Sequence, residues 1–408
     1  MPIQGYRSAL PSVGDLLTLH FFLTEFRREG IIRKIPKRGV PSLTLLLILV
    51  LLLIGGLAAY YYRFLRRLFL AFGAEVSRWR IRIAIAALTL LLLGSCYFVP
   101  PMLLVLLHLL LFNELCRLLH FLYKKCAKKE SKFLPALHRS GAVPLLLTLA
   151  ILLFGYFNMH NVVQTDYTLR THKAIRFDGY RVALLSDIHY GVSLDQAQLQ
   201  ALCREVSAQQ PDLVILCGDL VDNTTSYAQM AELFCALGEI QSSYGSYYVY
   251  GNHDRPFYGL ASAFDDADLR THMEAAGITV LQDEVLPLTS DLTLIGREDR
   301  SRERASLSSL LQQADGETYL LTLDHQPCEY AENAAAGTDL LLSGHTHGGQ
   351  IWPANLLDRL VHFNDANYGL TSLGEQGHAI VTSGVAGWGW PIKTSAPSEY
   401  VIIRILPG

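Results

Sequence analysis

The sequence is poor in charge and lacks any cysteine pattern that would hold a fold together covalently. Only 17% of its 408 residues are charged, and the net charge is −3 at pH 7. Its seven cysteines are scattered without a C-x-x-C pair, which excludes a disulfide framework or a zinc ribbon and predicts mostly buried thiols. No basic cluster follows residue 182, so nucleic acid is not an expected partner.

The N-terminal third is dominated by leucine. Residues 1–40 lack a long apolar run and a small-residue cleavage site, so we predict a polar, basic lead-in rather than a secretory signal. Four apolar runs follow, with predicted spans near 42–62, 82–99, 101–123 and 142–159. Each approaches the roughly 20 residues that a helix needs to cross a membrane. Residues 41–160 are therefore predicted to form an all-α membrane anchor of about four helices.

Polar residues interrupt the third run, namely Asn113, Glu114, Arg117 and His120. Ionisable residues at bilayer depth would indicate function, whereas near the membrane surface they form only a polar fringe. The fringe is the favoured interpretation, partly because Glu114 and Arg117 stand at i, i+3 and can pair.

Basic residues set the predicted orientation. If all four runs span, the basic segments 63–82 and 124–139 share one side, which the positive-inside rule places in the cytoplasm. The C-terminal domain then faces the extracytoplasmic side of a bacterial cell membrane. Basic residues between Arg27 and Arg38 favour the opposite orientation, and so would a run that only dips into the membrane.

Residues 165–408 have the pattern of an α/β domain. Short apolar stretches predict strands buried on both faces, and they alternate with helices predicted near 194–209 and 225–239. The predicted strands are RVALLS, DLVILC, SYYVY, TYLLTL and TDLLLS. Polar residues follow each strand, where binding sites lie in such sheets.

These strand ends carry a repeated set of imidazole and carboxylate side chains. In chain order they are Asp187-Ile188-His189, Gly218-Asp219-Leu220-Val221-Asp222, Gly251-Asn252-His253-Asp254, Asp324-His325 and Gly344-His345-Thr346-His347. Each group alone is a weak signal, but mixed oxygen and nitrogen ligands together suit a pair of divalent ions such as Mn²⁺, Fe²⁺ or Zn²⁺.

The pattern resembles the calcineurin-like metallophosphoesterase family, whose signature is D-x-H, G-D-x-x-D, G-N-H-D/E, a lone His and G-H-x-H. Within that family the chain is similar to the YkuE-like and YaeI-like branch and to transmembrane proteins with a metallophosphoesterase domain. The shared features are GHTHGGQIWP at 344–353, Tyr368-Gly369 and the closing SGVAGWGWPIKTSAPSEY. The resemblance implies a four-layer α/β sandwich, in which helices flank two mixed sheets.

The resemblance also implies roles for individual residues. Asp187, His189 and His347 would hold one metal, while Asn252, His325 and His345 would hold the other. Asp219 would bridge the two, because a carboxylate can place one oxygen on each of two ions about 3.5–4 Å apart.

His253 is the candidate general acid, which would give a proton to the departing oxygen. Asp222 either orients His253 or caps a helix starting near Thr224. Gly218, Gly251 and Gly344 are expected to permit unusual backbone conformations.

The closing segment departs from the branch pattern. Lys393 replaces a common Arg there, so contacts to a phosphate or carboxylate are expected to differ. Tyr190, Trp352, Trp388 and Trp390 are candidates for a substrate pocket, or else ordinary core and membrane-surface aromatics.

The sequence thus predicts a membrane-anchored dinuclear phosphoesterase. Its expected substrate is a phosphorylated small molecule or lipid with a phosphomonoester, phosphodiester or pyrophosphate bond. A lipid- or nucleotide-linked sugar, as in a UDP-2,3-diacylglucosamine hydrolase, is the most specific version and rests on the branch resemblance. The alternatives are a non-catalytic metal- or phosphate-binding membrane scaffold, and a transporter coupled to hydrolysis.

Overall fold

A computed structural model describes residues 43–99, 101–126, 140–255, 262–353, 356, 364–375 and 377–408. The predicted lead-in at 1–40 and most of the basic segment 124–139 lie outside the described residues. The chain divides into two compact units, with the boundary between Leu149 and Ala150. The second unit therefore begins before the predicted domain boundary at residue 165.

Four helices follow one another in the apolar part of the chain. They are α1 (Leu43–Ala71), α2 (Trp79–Phe98), α3 (Pro101–Cys126) and α4 (Ala142–His160). Within the described residues, α3, α4 and the Trp79–Cys96 part of α2 are long and apolar enough to cross a membrane. The chain is accordingly a membrane protein.

Part of each basic segment, 63–82 and 124–139, is helical. Helix α1 continues to Ala71 and carries Arg63, Arg66 and Arg67 on its last turns, while α3 carries Lys124 and Lys125. Long basic side chains can extend from a helix end toward the membrane surface, so they need not end the helix.

The polar residues of α3 do not all form a fringe. Glu114 and Arg117 pair at 2.8 Å as predicted, but Asn113 is only 1% exposed. Its side-chain oxygen accepts a hydrogen bond of 2.9 Å from Arg67. Asn113 therefore belongs to a buried polar contact, because a buried amide needs a partner that solvent cannot supply.

The second unit contains two six-stranded sheets within the described residues. The first sheet has the order β1-β12-β2-β3-β4-β5, and its strands are β1 (Val162–Thr171), β2 (Tyr180–Leu185), β3 (Leu213–Cys217), β4 (Ser246–Val249), β5 (Ile278–Val280) and β12 (Ser398–Pro407). The second has the order β10-β11-β9-β8-β7-β6, and its strands are β6 (Glu284–Pro287), β7 (Leu292–Gly296), β8 (Tyr319–Leu323), β9 (Leu340–Ser343), β10 (Gly369–Leu373) and β11 (Gly377–Val381). Both sheets are mixed, with parallel strands at their centres.

Helices cover the outer faces of the two sheets. They are α5 (Gln196–Ala208), α6 (Tyr227–Gly238), α7 (Asp266–Ala275), α8 (Leu307–Leu311) and α9 (Tyr330–Ala335). Alternate residues of β2 show the layering, since Val182 and Leu184 join the core between the sheets while Ala183 and Leu185 pack in the cluster that includes α5 and α6. The predicted four-layer α/β sandwich is confirmed.

The ends of the second unit pair with each other. Strand β1 runs parallel to β12, with Val162 opposite Ser398 and Thr171 opposite Pro407. The predicted boundary at residue 165 therefore falls inside a strand. The cysteines are also more varied than predicted, because Cys203, Cys217 and Cys328 are buried but Cys126 and Cys235 are exposed.

Candidate metal centre

The predicted ligands lie at the carboxyl ends of five central strands. Three strands of the first sheet precede Asp187 and His189, then Asp219, then Asn252, and two strands of the second sheet precede His325 and then His345 and His347. Parallel strands end at the same sheet edge, so residues far apart in sequence meet there.

The side chains form two groups with the spacing of metal ligands. One group is Asp187, His189 and His347, and the other is Asp219, His325 and His345. Within each group, the ligand atoms lie within 4.8 Å of one another. Oδ1 of Asn252 lies 2.9 Å from Nδ1 of His345, which places the amide beside the second group. The structure thus brings together all seven residues that the sequence singles out.

Backbone carbonyls orient two of the imidazoles. Nδ1 of His325 lies 2.8 Å from the carbonyl of Cys217, and Nδ1 of His347 lies 3.2 Å from that of Ala386. When Nδ1 donates to a carbonyl, Nε2 carries the lone pair and can bind a metal. Nε2 of His325 lies 3.1 Å from Asp219, and Nε2 of His347 lies 3.6 Å from Asp187, so both point into their groups.

His189 tests whether the centre fits a cation. It is fully buried, and neither of its ring nitrogens has a hydrogen-bond partner among the described residues. A buried imidazole without a hydrogen-bond partner costs folding free energy unless another group, such as a cation, binds its nitrogen. Burial lowers the pKa of His189 and of His345 to about 4, so both rings are neutral at pH 7 and able to coordinate. The residues present fit a divalent cation.

Asp219 is a buried carboxylate whose pKa favours the ionised form. Burial acts to raise its pKa, but His325 together with His253 and His189 outweighs burial and holds the pKa well below the ordinary value. Its Oδ2 lies 3.1 Å from His325 and 3.9 Å from His189, one from each group. The carboxylate therefore lies between the two groups, as a bridging ligand must.

The backbone of the ligands is strained. Asp187, His189, Asp219, His345 and His347 all have positive φ angles, of 51°, 40°, 54°, 71° and 49°. Residues other than glycine rarely adopt this region, and such strain is concentrated at functional sites.

Glycine has two different uses here. Gly218 has φ of 77°, an unusual conformation that the sequence predicts for it. Gly251 and Gly344 do not share this conformation; instead, a Cβ on Gly251 would overlap Asp219, and a Cβ on Gly344 would overlap Ser186. They provide close approach rather than an unusual φ.

Asp254 is a positioning residue to which sequence reasoning gave no role, although it stands in the GNHD motif. It is 1% exposed, and its carboxylate accepts hydrogen bonds from the backbone N–H groups of Asp219, Leu220, Val221 and Gly251, at 2.7 to 3.2 Å. It therefore fixes the loop that presents the central carboxylate.

Replacing Asp254 by asparagine is expected to weaken metal binding by about 10- to 100-fold, the usual effect of losing a residue that supports ligands. The amide has the same shape, but its NH₂ would face backbone N–H donors. Equilibrium dialysis with Mn²⁺ measures the change, and Asp178→Asn at an exposed loop residue is the matched control. Equal affinities for the two variants would refute this role.

Asp222 does not fit one of its two predicted roles, that of a helix cap. Helix α6 starts at Tyr227 with Ser226 as its N-cap, so Asp222 does not cap it. The Asp222 carboxylate accepts hydrogen bonds from the backbone N–H and hydroxyl of Thr224, and its other oxygen lies 3.8 Å from Nδ1 of His189. Asp222 thus faces a predicted metal ligand, and its proposed action on His253 stays a prediction.

His253 lies at the edge of the centre. Its backbone N–H donates to Asp219 at 2.8 Å, and its ring centroid lies 4.7 Å from that of Trp388. Trp388 is 46% exposed, which suits a pocket wall, whereas Tyr190 is buried and donates to Glu232. Of these two pocket candidates, Trp388 lies against the centre.

Lys393, which stands where the branch often has Arg, contacts backbone carbonyls. Its side chain is fully buried, and its Nζ donates to the carbonyls of Ser383, Gly384 and Ala386. A buried ammonium needs such acceptors, which explains why a point charge is tolerated at this position.

The part of the chain that holds the predicted ligands is similar in sequence to known proteins. The calcineurin-like phosphoesterase family matches residues 180–349. The metallophosphoesterase YkoQ of Bacillus subtilis is 31% identical over 51% of this chain and 79% of its own length. An uncharacterized metallophosphoesterase of Campylobacter jejuni is 31% identical over 55% of this chain, which covers 59% of that protein.

A relative with a membrane part is also similar. The transmembrane protein with metallophosphoesterase domain of Danio rerio is 28% identical over 64% of this chain and 61% of its own length. Among solved structures, a dimetal phosphatase from Danio rerio matches 50% of this chain and 87% of its own length, with 13% identity and a TM-score of 0.32.

Proposed function

This chain belongs to the calcineurin-like phosphoesterase family, and on that premise we propose that it hydrolyses a phosphomonoester, phosphodiester or pyrophosphate bond at a two-metal centre. The observation that carries the proposal is the pair of ligand groups around Asp219, with the unsatisfied His189 in one of them. All seven predicted ligands are present, whereas a degenerate, non-catalytic relative would be expected to lack some.

Two bound divalent ions would neutralise charge on the phosphate and make water a better nucleophile. Asp187, His189 and His347 would hold one ion, Asn252, His325 and His345 the other, and Asp219 would touch both. Mn²⁺, Fe²⁺ and Zn²⁺ all suit this mixture of oxygen and nitrogen ligands.

The chain itself would supply the proton. His253 is partly exposed, its backbone N–H donates to Asp219, and its ring centroid lies 5.4 Å from that of His189. We propose that it donates a proton to the departing oxygen, a role that suits imidazole near neutral pH.

The membrane helices support a membrane-proximal substrate, and we propose a lipid- or nucleotide-linked sugar phosphate. The proposed location is the bacterial cell membrane with the catalytic domain on the extracytoplasmic side, based on the basic segments that follow the first and third apolar runs.

Metal analysis and hydrolysis together test the proposal. Full-length protein purified in detergent is expected to hold about two divalent ions per chain by mass spectrometry. With Mn²⁺ it is expected to cleave bis-p-nitrophenyl phosphate or p-nitrophenyl phosphate, to lose activity in EDTA and to regain it when Mn²⁺ returns. Protein that binds no metal and cleaves neither substrate would instead support the non-catalytic scaffold.

A further inference from the structure

The segment after β11 backs the first group of ligands. Residues 383–386 form a turn, called here the backing turn, whose Val385 and Ala386 N–H groups donate to the carbonyls of Ser186 and Asp187 at 3.0 Å. Ala386 also presents its carbonyl to Nδ1 of His347. The backing turn therefore touches the backbone of one predicted ligand and orients the ring of another.

Lys393 holds the backing turn together from behind. Its Nζ lies 2.6 Å, 3.2 Å and 3.3 Å from the carbonyls of Ser383, Gly384 and Ala386. Burial lowers the pKa of Lys393 to about 7, which shows how far the ammonium is removed from water. Three hydrogen bonds from one buried ammonium favour the conformation in which the three carbonyls of the turn converge.

The end of helix α4 in turn holds Lys393. The backbone N–H of Lys393 donates to the carbonyl of Gly155 at 3.0 Å. The Asn158 amide donates to the carbonyls of Lys393 and Ala396, both at 2.9 Å. All these residues belong to the second compact unit.

Gly155 is a point of close approach between helix α4 and the segment that carries Lys393. A Cβ at this position would lie 2.6 Å from Cγ2 of Thr394 and 3.2 Å from Cβ of Ile392. A helix that crosses a membrane requires neither a glycine at position 155 nor an asparagine at position 158. Both residues instead fit the segment that carries Lys393.

We propose that the end of helix α4, through Gly155 and Asn158, positions Lys393 and the backing turn and so sets the geometry of Asp187 and His347. The apolar helix is then part of the framework of the metal centre as well as an anchor. This inference rests on the proposed two-metal function.

Two full-length variants test it, Gly155→Val and Asn158→Ala. The control is Gly55→Val, which makes the same change in α1, where a Cβ would meet nothing within 4 Å. Mn²⁺ affinity by equilibrium dialysis, thermal unfolding of the metal-free protein, and kcat and KM for bis-p-nitrophenyl phosphate are measured.

Each α4 variant is expected to weaken binding of one of the two ions by about 10- to 100-fold, as loss of ligand support does. The kcat falls at low Mn²⁺ and recovers at high Mn²⁺, while KM changes little and Gly55→Val behaves like wild type. Lys393→Arg should retain more metal affinity than Lys393→Met. If Gly155→Val does not fold, the Mn²⁺ affinities of Asn158→Ala, Lys393→Arg and Lys393→Met test the inference.

Wild-type Mn²⁺ affinity in the folded α4 variants would overturn the inference while leaving the proposed function intact. Wild-type protein that binds no ion would overturn both.

Discussion

Asp219→Asn is expected to reduce kcat/KM on the order of 10³-fold and to release at least one of the two ions, because this carboxylate would serve both. Its Oδ2 faces His325 at 3.1 Å, and its Oδ1 accepts the His253 N–H at 2.8 Å. Asparagine keeps the shape of the side chain but replaces one oxygen by a donor that cannot bind a cation.

The measurements are metal content by mass spectrometry and hydrolysis of bis-p-nitrophenyl phosphate over a range of Mn²⁺ concentrations. Asp178→Asn, the exposed matched change, should leave both unchanged. An Asp219→Asn protein with two ions and the wild-type rate would rule out the bridging role of Asp219.

The ligand set could be predicted from the sequence because two regularities combine in it. Apolar stretches such as DLVILC predict buried strands, and polar residues directly after them predict a site at the shared sheet edge. Residues as distant as Asp187 and His347 could therefore be placed near each other before their contacts were known.

Long-range strand pairing was harder to predict from the sequence. Strand β1 pairs with β12 across almost the whole second unit, and no local pattern in Val162–Thr171 identifies that partner. The predicted boundary at residue 165 lies inside this strand.

Contacts made by the backbone also escaped prediction. The sequence predicted only that contacts at Lys393 would differ from those of Arg; its partners are carbonyls, whose positions depend on the conformation of the backing turn. Asp254 received no predicted role, because it binds backbone N–H groups, such as that of Asp219, that only the folded loops bring within reach. Sequence motifs identify the residues that carry charge, whereas the loop geometry determines what that charge contacts.

His253→Gln is expected to retain both ions and to lower kcat, because His253 is proposed to donate a proton and is not a proposed ligand. General acid catalysis contributes roughly 10²- to 10⁴-fold. The loss should be largest for a substrate with an alkyl alcohol leaving group, which must be protonated as it departs. It should be much smaller for p-nitrophenyl phosphate, whose leaving group departs as a stable anion.

The comparison of the two leaving groups separates proton donation from structural damage, because a distorted centre would slow both substrates alike. His172→Gln, at an exposed residue before β2, is the matched control and should change neither rate. Equal losses for both substrates in His253→Gln, with two ions bound, would contradict proton donation by His253. In that case a substitution of Trp388, whose ring centroid lies 4.7 Å from that of His253, is expected to lower the rates for the two substrates equally as well.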